Sequence, residues 1–143
     1  VRSTRLDTLR EPARRIGTVA LCAAAVLGVV SSPAQAASWS SSLSNAGPGF
    51  ESRRWYDTGG QTSISFTGCS DTGQNNNANV TLRKDVTGPD PQYVTASFTN
   101  CFASTSSTSN GTWADHGSGN YYFAVNYGVV GVNLWVRSLT VSY

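Results

Sequence analysis

From residue 37 onward, apolar and polar residues alternate at a period of two between turn signals, and no stretch carries apolar residues at helical spacing for two turns. Successive side chains of a strand point to opposite faces, so this pattern predicts strands with one buried face. Seven are expected, over residues 52–58, 61–68, 78–84, 92–99, 111–114, 119–127 and 131–142. Between them lie Gly59-Gly60, the polar run from Asp71 to Asn79, Gly88-Pro89-Asp90-Pro91, the Ser/Thr tract from Ser104 to Ser109, Gly117-Ser118-Gly119 and Gly128. Short strands at this spacing describe an all-β fold, a small antiparallel β-sandwich or jelly roll.

Parity also proposes the core: Ile64 and Phe66, Val80 and Leu82, Val94, Ala96 and Phe98, then Tyr121, Phe123 and Val125. The last strand is less regular. Leu134 and Val136 share one parity while Leu139, Val141 and Tyr143 share the other, so either a bulge near Arg137-Ser138 resets the strand or it is buried on both faces. With a bulge, Trp135 and Arg137 face away from the core.

The segment before residue 37 reads differently. Arg2, Arg5, Arg10, Arg14 and Arg15 precede an apolar run from Ile16 to Val30, and Ala34-Gln35-Ala36 supplies a small-residue cleavage site. That order is a signal peptide over 1–36, with a single exported domain over 37–143. The run is shorter than the roughly 20 residues a spanning helix needs, so no membrane anchor is expected after cleavage. Cys22 lies inside the run and leaves with the peptide. Val1, taken as a GTG start codon read literally, points to a bacterial gene.

Cleavage changes the electrostatics. Five of the ten basic and two of the eight acidic residues lie before residue 37, leaving five basic against six acidic, a net charge of −1. A near-neutral domain with no Lys/Arg cluster beyond Arg53-Arg54 and Arg83-Lys84 has no footprint for nucleic acid or an anionic membrane surface. Two cysteines remain, Cys69 and Cys101, each just after an expected strand, and in an exported protein such a pair is read as a disulfide. Two cysteines with a single distant histidine do not make a metal site, and no cofactor is implied.

Catalytic chemistry finds little support. His116 sits before Gly117-Ser118-Gly119 as a loop residue, no Gly-x-Ser-x-Gly elbow is present, and of the acids Glu51, Asp57, Asp71, Asp85, Asp90 and Asp115 all but Asp57 lie in or beside turns. An enzyme is therefore not expected. Asp71 to Asn79 reads as a long turn with left-handed Asn and Gly, and oxygen ligation of calcium is the alternative.

The aromatic residues all lie beyond residue 37, and Trp39, Trp55, Tyr56, Trp113, Tyr122 and Trp135 cannot all point inward on this parity. An outward ring flanked by Ser, Thr, Asn and Arg stacks on a sugar while its neighbours bond the hydroxyls. Trp113, His116, Tyr122, Trp135 and Arg137 are the candidate ligand-binding residues. The expectation is a secreted, extracellular or cell-wall-associated, non-catalytic domain that binds a carbohydrate or cell-wall polymer. The alternatives are a factor aimed at an extracellular protein, a protease inhibitor or an antagonist of competing cells, acting through the 88–92 turn or the segment around Cys101, and a structural protein of the cell surface.

Overall fold

The computed structural model describes residues 37–127 and 131–143. The signal segment expected over 1–36 and the turn expected at Gly128 lie outside the described residues. Within them the alternation becomes the strands β1 (Ser38–Ala46), β2 (Phe50–Glu51), β3 (Trp55–Asp57), β4 (Thr62–Asp71), β5 (Ala78–Asp85), β6 (Gln92–Phe98), β7 (Thr108–Trp113), β8 (Gly119–Asn126) and β9 (Leu134–Ser142). One 3-10 turn, Asn100–Phe102, follows β6.

Every pairing is antiparallel. One sheet has the order β1-β9-β4-β7; in the other, β2 and β3 pair with one edge of β8, followed by β5 and β6. The two sheets pack face to face as a small β-sandwich. Ile64, Phe66, Val80, Leu82, Phe98, Tyr121, Phe123 and Val125 are buried between them, as parity requires. Phe66 of β4 ties the layers together, its ring edge-on to Phe98 of β6 at 5.0 Å and to Phe123 of β8 at 5.7 Å. Each such pair adds about 0.5–1.5 kcal/mol beyond its buried area.

Two departures from simple alternation have local causes. Thr81 faces Thr95 and Arg83 faces Gln92, so Tyr93 and Val94 together lie opposite Leu82. This bulge shifts the side-chain parity of β6: Tyr93 turns toward Tyr121 and is half-buried, while Val94, expected in the core, is 80% exposed. In β9, Leu134, Val136, Leu139 and Val141 are all buried and Arg137 and Ser138 are exposed, so the strand resets at that pair. Its neighbour β4 resets at the same level, because Phe66 faces Leu139 and Cys69 faces Val136 with Gly68 between them. Gly68 has φ +65°, and a Cβ there would stand 2.7 Å from the Thr105 carbonyl oxygen and 2.9 Å from Arg137 Cδ. Only glycine fits that crossing.

β1 and the two-residue β2 lie outside the seven expected strands. The register of β1 with β9 shifts twice, between Ser41 and Leu43 and between Leu43 and Ala46, so its buried positions fall three apart rather than two. Cys69 and Cys101 form the expected disulfide, with Cα atoms 5.1 Å apart. It fastens the crossover from β6 to β7 onto the end of β4 and closes a loop whose ends are 32 residues apart. Such closure stabilises by about 3–4 kcal/mol in the chain-entropy account.

Candidate functional site

The five residues singled out in the sequence do not form one site. Trp113, at the end of the edge strand β7, is 3% exposed. Its ring covers Gly111, where a Cβ would lie 2.6 Å from the indole, and its N–H donates to the Val94 carbonyl across the open side of the sandwich. Trp113 is therefore a closing residue between the edges β6 and β7 and presents no free face. Tyr122 stands on the outer face of its sheet, as parity requires, yet is only 1% exposed. Arg54 lies 4.1 Å over its ring, and its hydroxyl donates to Asp90 Oδ2 at 2.7 Å. Those neighbours come from a loop and a turn, which strand parity cannot see.

His116 is exposed in the loop after β7 and stacks on Tyr93, with ring centroids 3.6 Å apart and planes 8° from parallel. Lys84 Nζ donates to its carbonyl oxygen, and Asp115 Oδ1 accepts the Gly117 amide. That amide, then the Gly60 amide, hold the Asp115 carboxyl below the usual aspartate range. His116 and Trp113 share a shallow cleft of about 470 Å³ with Tyr93 and Val94. Tyr93 is the titratable group against the imidazole, and Thr112 adds a hydroxyl to the cleft lining.

Trp135 and Arg137 belong together. Both lie on the outer face of the four-stranded sheet, Trp135 half-buried opposite Ser70 and Arg137 exposed beside Gly68. The rest of that face is paved with hydroxyl and amide side chains in register. Ser38, Ser142, Ser63 and Thr112 form one row across the four strands; Ser40, Thr140, Ser65 and Asn110 form the next; Ser138, Thr67 and Thr108 form a third. Neighbours bond within the rows: Ser40 with Thr140 at 3.1 Å, Ser65 to Asn110 at 2.6 Å, Thr67 with Thr108 at 2.7 Å. None of these side chains is buried, and no carboxylate stands among them. Each hydroxyl offers one donor and two acceptor sites, so one bond to a neighbour leaves capacity for a ligand.

In the sequence the rows are present only as Ser, Thr and Asn at alternate positions on the side of each strand opposite the core. What assembles them is the strand order, which the sequence does not reveal.

The outer face of the other sheet is concave and polar. Asn79, Thr81 and Arg83 of β5, Gln92 and Thr95 of β6 and Asn126 of β8 line a cleft of about 420 Å³. Beside it Arg54 pairs with Glu51 at 3.0 Å and Asp85 at 3.3 Å. In the loop after β4, Asp71 turns both carboxylate oxygens onto its own loop, accepting from the amides of Asn75 and Asn76, with Gln74 and Asn76 in left-handed conformations. Among the described residues no group of three His, Cys, Asp or Glu side chains converges as metal ligands would.

Comparison with protein-family models, with curated proteins and with solved structures finds no match to this chain. What is defined is a class, the small disulfide-bonded β-sandwich.

Proposed function

We propose that this protein is a secreted, non-catalytic binding domain for an uncharged polysaccharide of the extracellular or cell-wall environment, held on the outer face of the four-stranded sheet. The observation that carries the reading is the paving of that face: two rows of Ser, Thr and Asn in register across four strands and a third across three, with Trp135 and Arg137 at one end and no carboxylate between them. Trp135 stacks on the apolar face of a pyranose, and the rows exchange hydrogen bonds with sugar hydroxyls at successive positions along the chain. From Trp135 to Ser142 the strand rise of about 3.4 Å per residue makes the platform about 24 Å long, several sugar units. A surface that long and shallow suits a polymer better than a monosaccharide, which favours a pocket.

Retention on insoluble cellulose, chitin, xylan and peptidoglycan tests this. Wild type is retained on at least one of the polymers, and Trp135→Ala weakens retention about tenfold, the loss of one stacking contact of roughly 1.4 kcal/mol, without unfolding. No retention on any polymer, or retention indifferent to Trp135, refutes the assignment.

A second reading, recognition of an extracellular protein, is favoured by the turn at residues 88–91. It is exposed yet pinned: Asp90 accepts from the Val86 amide and the Tyr122 hydroxyl, and Pro91 accepts from the Lys84 amide. A rigid exposed turn is what an inhibitor presents, and a screen against secreted proteases tests it.

A further inference from the structure

The cleft on the opposite sheet has a different chemistry from the hydroxyl platform, and it points to a different ligand. Its floor is made by outward residues of β5, β6 and β8, the strands whose inner faces carry Val80, Leu82, Phe98, Phe123 and Val125, so its walls are fixed by the core behind them. The lining carries two charged groups, the Arg83 guanidinium and the Glu51 carboxylate, and its other polar side chains are neutral donors and acceptors. Thr81 and Thr95 face each other across the floor and share a hydrogen bond of 2.7 Å.

The charges around the cleft are unevenly satisfied. Arg54 takes Glu51 and Asp85, and these are the ion pairs among the described residues. Asp90 receives the Tyr122 hydroxyl and the Val86 amide. Arg83 has the Tyr122 hydroxyl beside it and the Asp90 carboxylate in electrostatic range but not paired with it, and its Nε is buried without an acceptor. A guanidinium carries five N–H donors in a planar fork matched to a carboxylate. Half-buried beside a concave polar surface with most of those donors unspent, Arg83 is matched by an anionic ligand that also carries hydroxyl groups for Asn79, Thr81, Gln92, Thr95 and Asn126.

We propose that this cleft is a second ligand site, specific for a carboxylate-bearing sugar, in which Arg83 takes the carboxylate and the Asn, Gln and Thr side chains take the ring hydroxyls. Its volume lies within the range of small-molecule sites and holds one or two sugar units, in contrast to the extended platform on the other sheet. Glu51 also lines the cleft and shares Arg54 with Asp85, so it opposes an anion in part and the carboxylate must seat on the Arg83 side of the floor. The site stands independently of polysaccharide binding at Trp135.

The test is an amide chemical-shift titration of the protein with glucuronate and, separately, with glucose. Glucuronate is expected to move the amides of Thr81, Arg83, Thr95 and Asn126 and to bind about tenfold tighter than glucose, the worth of one charge-assisted pair. Arg83→Gln should erase that preference, Arg83→Lys should restore part of it, and Gln92→Ala should weaken both sugars alike. Trp135→Ala should leave the titration unchanged, so a failed polymer assay and a failed titration are told apart. Equal response to both sugars, shifts confined to the Trp135 face, or a folded Arg83→Gln protein that still prefers glucuronate overturns the proposal, as does the absence of any shift up to the solubility of the sugar.

Discussion

Replacing Trp113 by alanine separates the two roles open to an aromatic residue in a domain this small. The side chain is 3% exposed, lies against Gly111 and gives its N–H to the Val94 carbonyl. Truncating a buried tryptophan costs about 3–5 kcal/mol in lost transfer energy and cavity. The hydrogen bond adds up to about 1 kcal/mol, reduced here because Val94 is exposed and its carbonyl rehydrates. A total of about 4 kcal/mol is a large fraction of the ~5–15 kcal/mol that holds a small domain together. With a urea slope of about 1–3 kcal/mol per M, the midpoint falls by about 2 M. Far-UV circular dichroism is the suitable probe, since deleting a tryptophan alters fluorescence directly. Trp113→Phe keeps most of the ring and loses less. Trp135→Ala, on a half-exposed outer face, costs no more than about 1 kcal/mol. A Trp113→Ala protein within about 1 kcal/mol of wild type, or a Trp135→Ala protein that loses as much as Trp113→Ala, refutes the assignment of one ring to the fold and the other to the surface.

Replacing Cys69 and Cys101 together by serine should lower stability by about 3–4 kcal/mol, seen as a drop in the urea midpoint; an unchanged midpoint would mean that the crossover after β6 is held by packing alone. Asp90 titrates below the usual aspartate range because it accepts the Tyr122 hydroxyl and, second, the Val86 amide. A depressed folded value means that its contribution to stability is complete above the unfolded aspartate value of about 3.9 and fades as pH falls from there through the lower folded value. Asp90→Asn should therefore flatten the stability profile in that acid window and leave its slope at neutral pH untouched. A variant with the wild-type acid slope would show that the turn does not depend on the carboxylate.

How far the sequence could be read follows from what strand parity encodes. Ile64, Phe66, Val80 and Leu82 are placed correctly because their strands alternate without interruption over these positions and lie over the core. Val94 is misplaced because a bulge gives two residues of β6 to one of β5, an offset invisible without knowing the partner. Strand β1 escapes notice for the same reason: its two register shifts with β9 leave Leu43 and Ala46 three apart. The alternatives at Arg137-Ser138 resolve into a reset, matched by Gly68 in the neighbouring strand, so Trp135 and Arg137 do face outward. Tyr122 faces outward too, but Arg54 and Asp90 arrive from elsewhere in the chain and cover it.

Burial of one parity leaves the other parity to decide what each face presents, and here the two outer faces diverge. The four-stranded sheet presents Ser, Thr and Asn with a tryptophan and a single arginine, while the five-stranded sheet concentrates arginines and carboxylates around a concave floor. The tightly packed layer that separates them, centred on Phe66, Phe98 and Phe123, shares no side chain with either surface. Sites that share no contacts combine additively to within about 0.5 kcal/mol. The double variant Trp135→Ala with Arg83→Gln should thus show each single effect undiminished, polymer retention weakened about tenfold through the first and sugar-acid preference lost through the second. A coupling larger than that limit would mean that the two faces communicate through the core and would recast them as one site read from two sides.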